Sequence, residues 1–497
     1  MTTKKHRGAK PNKILFVTSE VHPLIKTGGL GDVSGALPAA LKALHQDVRI
    51  ILPAYRDAMR RNGPYSIASL VFHPESHPIR LLEGRLPGTN IPLWLVDIPS
   101  LFDRPGNPYL GPDGRDWHDN ALRFAIFARA VSAIALNQAG LDWYPEVVHC
   151  NDWQTGLVPA LLSLTAPRPA TVFTVHNLAY QGLFPAEALQ QLGLPTALWG
   201  LDGLEFYGQL SFMKGGLMFA DMISTVSPTY AQEIRTPEYG YHLDGLLRHR
   251  ANRLVGILNG ADYGEWDPAG DEHLPHHYDA DNLQGKAADK AALQKELGLR
   301  RDVGMPLIGF VGRLVEQKGV DLLLAVLGTL LEQPVQVAVL GSGDKAYEQA
   351  LTELASHYPQ RCHVKIGFSE VLAHRIEAGA DLFVMPSRYE PCGLNQLYSL
   401  RYGTVPVVRR TGGLADTVVD YDHGAEAATG FVFHDASPAA LAGALKRALD
   451  LYIGDPDAWR RLMRNGMRQD FSWRHSARAY LDLYQQALAH AEASRPA

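Results

Sequence analysis

The sequence predicts an α/β protein of two doubly wound, Rossmann-like lobes, and two observations carry that prediction. Short, near-continuous apolar runs alternate with longer stretches of helical spacing over nearly all of the 497 residues. The runs also fall into two sets, separated by a polar stretch rich in proline and histidine. Strands that are apolar on both faces belong to parallel sheets covered by helices on each side.

In the first set the runs are residues 14–17, 48–52, 93–96, 147–150, 171–175 and 222–226. The second set comprises 307–311, 335–340, 363–366, 382–385, 405–408 and 431–433. Residues 120–136, 320–331 and 346–355 have the spacing and length of helices. A strand-like run at 254–258 leads into Asn259-Gly260-Ala261-Asp262, which places a hinge near 255–265. The expected organisation is therefore a disordered basic tail at 1–12, a first lobe at 13–258 and a second lobe at 259–475. Residues 476–497 read as a terminal helix, with a return to the first lobe as one open placement.

Composition narrows the function classes. The net charge is −5 with no dominant acidic or basic block, which gives no support to nucleic-acid wrapping or polybasic membrane binding. Three scattered cysteines are too few for a disulfide framework or a zinc site. The apolar run after the basic N-terminus is four residues long, whereas a secretion signal needs about 7–15. No apolar stretch reaches the length of a membrane span. A cytoplasmic chain in a reduced setting is expected.

Several strand ends carry groups able to hold an anion or a sugar. Lys26-Thr27-Gly28-Gly29-Leu30-Gly31-Asp32 follows the first strand; its glycines let the backbone approach a ligand, and the next helix opens with free N–H groups. After the strand at 307–311, Arg313 and Lys318 flank a turn, where a diphosphate would meet a guanidinium fork and an ammonium. After 382–385 comes Glu390-Pro391-Cys392-Gly393-Leu394, a carboxylate beside amides that open a helix. His176-Asn177 and Asn151-Asp152-Trp153-Gln154 end two first-lobe strands, and Tyr180, Trp117 and Trp153 are candidate stacking rings. Each segment alone also fits a tight turn, a helix cap or ordinary packing. The octad at 26–33 matches that at 410–417 in five of eight positions, suggesting equivalent glycine loops in two similar lobes. Three D-x-D triplets, at Asp279/Asp281, Asp420/Asp422 and Asp455/Asp457, are about what chance supplies. H-E-x-x-H and G-x-S-x-G are absent from the sequence, so no metal or cofactor is assigned.

Together these motifs resemble the bacterial glycogen synthases and plant starch synthases, ADP-glucose-using transferases of the two-lobed GT-B fold. The resemblance runs from about Lys13 to Tyr484 and rests on the segments at 26–30, 174–182, 259–260, 313–319, 390–394 and 409–414. It implies retaining transfer of glucose from ADP-glucose to the non-reducing end of an α-1,4-glucan, in a cleft between the lobes whose closure excludes water. By position, Glu390, His176, Arg313 and Lys318 would be catalytic. Lys26, Gly28, Gly29, Asn259, Gly393, Leu394 and Phe368 would bind ADP-glucose, with Phe368 stacking on the base. Glu20, Asp152, Asn177 and Tyr180 would meet the acceptor or the sugar. The partners implied are ADP-glucose and glycogen, with no nucleic acid and no membrane; oligomeric state is left open.

Three positions depart from the family pattern: Asn395 stands where threonine is usual, and Asn151 and Gln154 stand where histidines are usual; Tyr398 replaces a second glutamate of the wider retaining group, an absence that bacterial glycogen synthases share. The runner-up enzyme is another retaining GT-B transferase, with a UDP-glucose donor or a maltosyl product. The alternative from a different class is a non-catalytic glucan-binding protein on the same fold.

Overall fold

The computed structural model describes residues 12–62, 65–71, 78–424 and 426–493; all but Asn12 of the expected basic tail lies outside them. The chain divides into two compact units. One comprises Met1–Val226, Ala231–Ile257 and Trp473–Ala497, and the other Ser227–Tyr230 and Leu258–Ser472. The terminal helix, Trp473–Ala493, begins three residues before the expected 476 and belongs to the first unit.

In the first unit a nine-stranded sheet, counted over the described residues, runs from Leu254–Gly256 through Met222–Thr225, Ala170–Val175 and Val147–Asn151 to Lys13–Val17. It continues through Asp47–Pro53, Pro92–Asp97 and Pro78–Arg85 to Tyr65–Val71. The pairings are parallel except the last two, which are antiparallel. The all-parallel expectation therefore fails at this edge. Pro78–Arg85 alternates exposed and buried positions instead of burying both faces, so it left no continuous apolar run to read.

The second unit's sheet is wholly parallel, ordered Cys362–Ile366, Gln336–Gly341, Leu307–Val311, Leu382–Met385, Val405–Arg409 and Phe431–Phe433. Successive strand residues bury opposite faces, as a period of two requires. Ile308, Phe310, Val337 and Val339 join a core with Leu323 and Leu327 of helix Val320–Leu330 and Leu445 of helix Pro438–Gly454. Leu307, Ala338 and Leu340 face the other way, against Leu293 and Ile376 of helices Gln284–Glu296 and Glu370–Gly379. Strand order reverses between Leu307–Val311 and Leu382–Met385 here, and between Lys13–Val17 and Val147–Asn151 in the first unit. Ligands of open α/β sheets collect beyond the strand ends at such reversals.

A buried polar chain fastens the terminal helix to the first unit. His149 bonds Tyr484 Oη through Nδ1 (2.8 Å) and Thr174 Oγ1 through Nε2 (2.6 Å), and Thr174 reaches Ser224 at 2.5 Å. Removing one partner strands the imidazole nitrogen away from water. Tyr484→Phe should therefore cost roughly 1–3 kcal/mol in urea unfolding; an unchanged midpoint would show that the helix is held by packing alone.

Candidate functional site

At the second unit's reversal, the loops beyond both strands interlock. The loop after Leu307–Val311 forms the 3₁₀ turn Glu316–Lys318, ended by Gly319 at φ +69°. A β-carbon at Gly319 would lie 2.0 Å from the Pro386 carbonyl oxygen, so only glycine lets the first loop rest on the second. This contact aims Lys318 at Glu390: Nζ and Oε2 are 2.5 Å apart, and Ser387 Oγ donates to the same oxygen at 3.0 Å. Glu390 is buried, while Lys318 keeps partial access to water. Arg313 is exposed and donates to Gln317 Oε1 at 3.1 Å, within its own loop.

Supporting contacts fix the Glu390 backbone. Arg409, buried at a strand end, donates to the carbonyls of Ser387 (2.9 Å), Arg388 and His434. Ser227 Oγ donates to the Pro391 carbonyl at 2.6 Å, and Thr229 is held by Asp416 through N–H and Oγ1 at 2.9 and 2.7 Å. Sequence reasoning assigned Arg409, Ser227 and Asp416 no role: Arg409 and Asp416 stood only as members of glycine-loop motifs, and a loop serine carries no local signal.

The octad at 410–417 is not the counterpart of that at 26–33, contrary to the expectation. The first follows the central strand Lys13–Val17, whereas the second follows Val405–Arg409, one strand removed from the reversal. Their glycines also serve opposite purposes. Gly412 sits at φ +43°, where a β-carbon would lie 1.8 Å from the Glu390 carbonyl oxygen, and one at Gly413 would lie 2.1 Å from that of Cys392. At Gly28 and Gly29 a β-carbon would meet nothing within 4 Å.

Around Glu390, Cys392 is buried and its thiol is pushed up to about 12, chiefly by burial. Gly393 turns the chain at φ +73° into Leu394 and the helix Asn395–Arg401. Asn395 Nδ2 donates to the Val311 carbonyl at 2.7 Å, tying that helix to the strand bearing the Arg313 loop. The Tyr398 ring stacks on Trp266 at 4.0 Å, and Trp266 stacks on His374 at 3.6 Å. Phe368 presents an open ring, 78% exposed, and Asn259 is buried.

In the first unit, Glu20 is largely occupied within the protein. Its carboxylate accepts from Thr27 Oγ1 (2.6 Å), the N–H groups of Thr27 and Gly28, and Tyr109 Oη (2.6 Å). It thus shapes the glycine loop, a job the sequence concealed because the loop closes on a residue seven positions back. Gly28 and Gly29 are exposed, helix Gly29–Ala43 starts without a side-chain cap, and Lys26 pairs with Asp32 at 2.6 Å. Beyond the Thr27 and Gly28 amides that Glu20 holds, the uncapped helix start at Gly29 and the Lys26 ammonium share one loop, an arrangement suited to an anion.

Asp152 and His176 form a second cluster. Asp152 Oδ1 accepts the His176 N–H at 2.7 Å. His176 Nε2 meets Asn151 Oδ1 at 2.9 Å, and Asn151 Nδ2 donates to the Val17 carbonyl. That orientation makes Nε2 the protonated nitrogen and leaves Nδ1 as the acceptor. Asn151 therefore fixes the His176 tautomer, which accounts for its place in the site. Asn177 accepts the Ala179 N–H at 3.1 Å and turns the chain, while Tyr180 is exposed. The two tryptophans are not open platforms: Trp153 packs among Phe124, Phe184 and Phe212, and Trp117 lies under Arg104.

Burial lowers His176 to about 3, so the ring is neutral in the folded state. Burial raises Asp152 to about 7, opposed by the N–H groups of His176 and Asn177 and assisted by the charge of Glu20. The signs are opposite. A histidine depressed from 6.5 stabilises the fold above pH 6.5 and loses that contribution as pH falls toward 3; an aspartate raised from 3.8 loses its contribution as pH rises toward 7. His176→Asn should accordingly flatten the fall of Tm between pH 6.5 and 4. A slope identical to the parent's would mean that His176 already titrates in the folded protein.

Residues 13–249 match the starch synthase catalytic domain family, and residues 296–466 match the glycosyl transferases group 1 family. A glycogen synthase of Thioalkalivibrio sulfidiphilus is 59% identical over 483 residues, covering 96% of this chain and all of the relative. The chain belongs to the glycogen synthase family. Glycogen synthase 1 of Methylococcus capsulatus is 57% identical, over 96% of this chain and 97% of its own length. Among solved structures, the catalytic domain of starch synthase IV from Arabidopsis thaliana, bound to ADP and acarbose, matches with a TM-score of 0.87 at 34% identity. It covers 97% of this glycogen synthase family chain and 100% of its own. Sucrose-phosphate synthase from Thermosynechococcus elongatus, at 20% identity and a TM-score of 0.61, shares the fold, covering 96% of this chain and 99% of its own. The two-lobed GT-B architecture and the glycosyltransferase class follow from these matches.

Proposed function

We propose that the protein elongates glycogen, transferring glucose from ADP-glucose to the non-reducing end of an α-1,4-glucan with retention at the anomeric carbon. The observation that carries this reading is the Lys318–Glu390 pair at the second unit's strand reversal, with Arg313 on the same loop as Lys318. In the reaction the bond from C1 to the β-phosphate oxygen breaks and its electron pair leaves with ADP. The acceptor's 4-hydroxyl forms the new bond to C1 and releases its proton.

Lys318 and Arg313 stabilise the negative charge that develops on the departing diphosphate, an electrostatic contribution that is usually the largest in such chemistry. They do so as side-chain cations, and the proposal calls for no metal or cofactor. Glu390 orients the donor's glucose, and Phe368 stacks on the base. On the first unit, Lys26 and the glycine loop at Gly28 and Gly29 contact the ADP-glucose, and the neutral His176 lies toward the sugar. Glu20 acts through the glycine loop. Among the described residues no helix is long and apolar enough to cross a membrane; a cytoplasmic setting is part of the proposal.

The test supplies purified protein with glycogen and either ADP-glucose or UDP-glucose, following nucleotide release and glucan chain length. Transfer from ADP-glucose in single glucose steps is expected. Absence of transfer from both donors would overturn the enzyme reading, and preference for UDP-glucose would overturn the donor assignment.

A further inference from the structure

Beyond the candidate site, the first unit carries a small antiparallel sheet, ordered Leu183–Pro185, Gln209–Ser211 and Glu205–Phe206. Tyr207 and Gly208 join its last two strands, at φ +50° and +77°. Positive φ at both central residues of a two-residue hairpin is the type I′ turn, which asparagine, aspartate and glycine serve best. A bulky aromatic in the first of these positions carries a steric cost.

Burial does not offset that cost, because Tyr207 is 76% exposed. Its ring stands edge-on to Phe206 at 4.9 Å and meets the ring of His242 at 5.6 Å and 66°. His242 is itself exposed and left-handed, at φ +66°, and so is the backbone of its neighbour Tyr241, at +47°. Two loops therefore hold the rings of Tyr207 and His242 outward on left-handed backbone, a conformation that tyrosine avoids and that gathers at ligand clamps.

This pair is joined to the segment that bears His176. Gln181, five residues further on, donates through Nε2 to the Tyr241 carbonyl at 2.9 Å. The carbonyls of Gln181 and Gly182 accept the N–H groups of Met213 and Phe212, each at 3.1 Å, at the far end of the hairpin. One continuous frame thus fixes both loops relative to the strand end at His176.

We propose that Tyr207 and His242 form a subsite for an α-1,4-glucan chain. The tyrosine ring stacks on the apolar C–H face of one glucose unit, and the imidazole bonds its hydroxyls. An amphipathic, ring-sized partner suits one exposed aromatic face beside one polar ring; a protein partner would call for a broad contiguous apolar patch. The subsite rests on the reading of glucan as acceptor, and it holds the chain away from the reacting end.

The decisive variant is Tyr207→Asn, which supplies the residue that the turn prefers and so keeps the fold. Its Tm should equal or exceed the parent's. The Kd for maltoheptaose and the KM for glycogen should rise about tenfold, with the KM for ADP-glucose within twofold. Tyr144→Ala removes an exposed aromatic elsewhere and should leave maltoheptaose binding unchanged. Parent-like glucan affinity in Tyr207→Asn would overturn the subsite, as would an equal loss in Tyr144→Ala or a fall in Tm without loss of affinity. If the parent binds maltoheptaose through Tyr207 yet transfers no glucose, the subsite stands and the transferase reading falls.

Discussion

Glu390→Gln should leave the protein folded and lower glucosyl transfer by about 10³-fold, the scale of losing a preorganised electrostatic group. The substitution is nearly isosteric, and its amide oxygen can still accept from Ser387. It removes the negative charge facing Lys318 at 2.5 Å. The freed ammonium retains partial access to water, so it is not stranded in an apolar core and the fold bears little cost. The loss should fall mainly on kcat, because Arg313 and Lys318 remain to hold the diphosphate. Initial rates of ADP release beside a urea unfolding midpoint separate the two effects. Turnover within tenfold of the parent would show that the central carboxylate has been misplaced.

Much of the fold was readable because parallel strands bury both faces. All twelve apolar runs of the two sets form strands of the two large sheets, and Val320–Leu330 and Asn120–Ala135 end within a residue of their expected helices. What escaped reading has a common cause, since it depends on contacts between distant residues or on dihedral angles. The strands Glu205–Phe206 and Gln209–Ser211 are too short for periodicity, so the turn at Tyr207 was invisible. Trp153 looked like a stacking platform until Gly182, Phe184 and Phe212 closed over it. Glu20 looked like a sugar contact, yet its carboxylate holds Thr27 and Gly28. Lys318 and Glu390, 72 positions apart, were each legible as strand-end residues; their pairing was not.

The two glycine loops give the sharpest separation of structural from ligand-directed glycine. Gly412→Ala places a β-carbon 1.8 Å from the Glu390 carbonyl oxygen and 3.1 Å from that of Pro391, at φ +43°. Overpacking and left-handed strain together should cost roughly 2–5 kcal/mol, and any relaxation must move the Glu390 backbone, so stability and transfer fall together. Gly28→Ala meets open space at an extended φ of −160°, so its unfolding midpoint should stay at or slightly above the parent's. Its KM for ADP-glucose should nevertheless rise, since the added methyl keeps a phosphate from the loop's amides. Urea melts and donor titrations on both variants make the comparison. Equal destabilisation of the two would mean that the loop at Gly28 is packed by the protein itself. The predicted split would instead mean that the space at Gly28 belongs to something outside the chain, whereas at Gly412 the protein's own carbonyl already fills it.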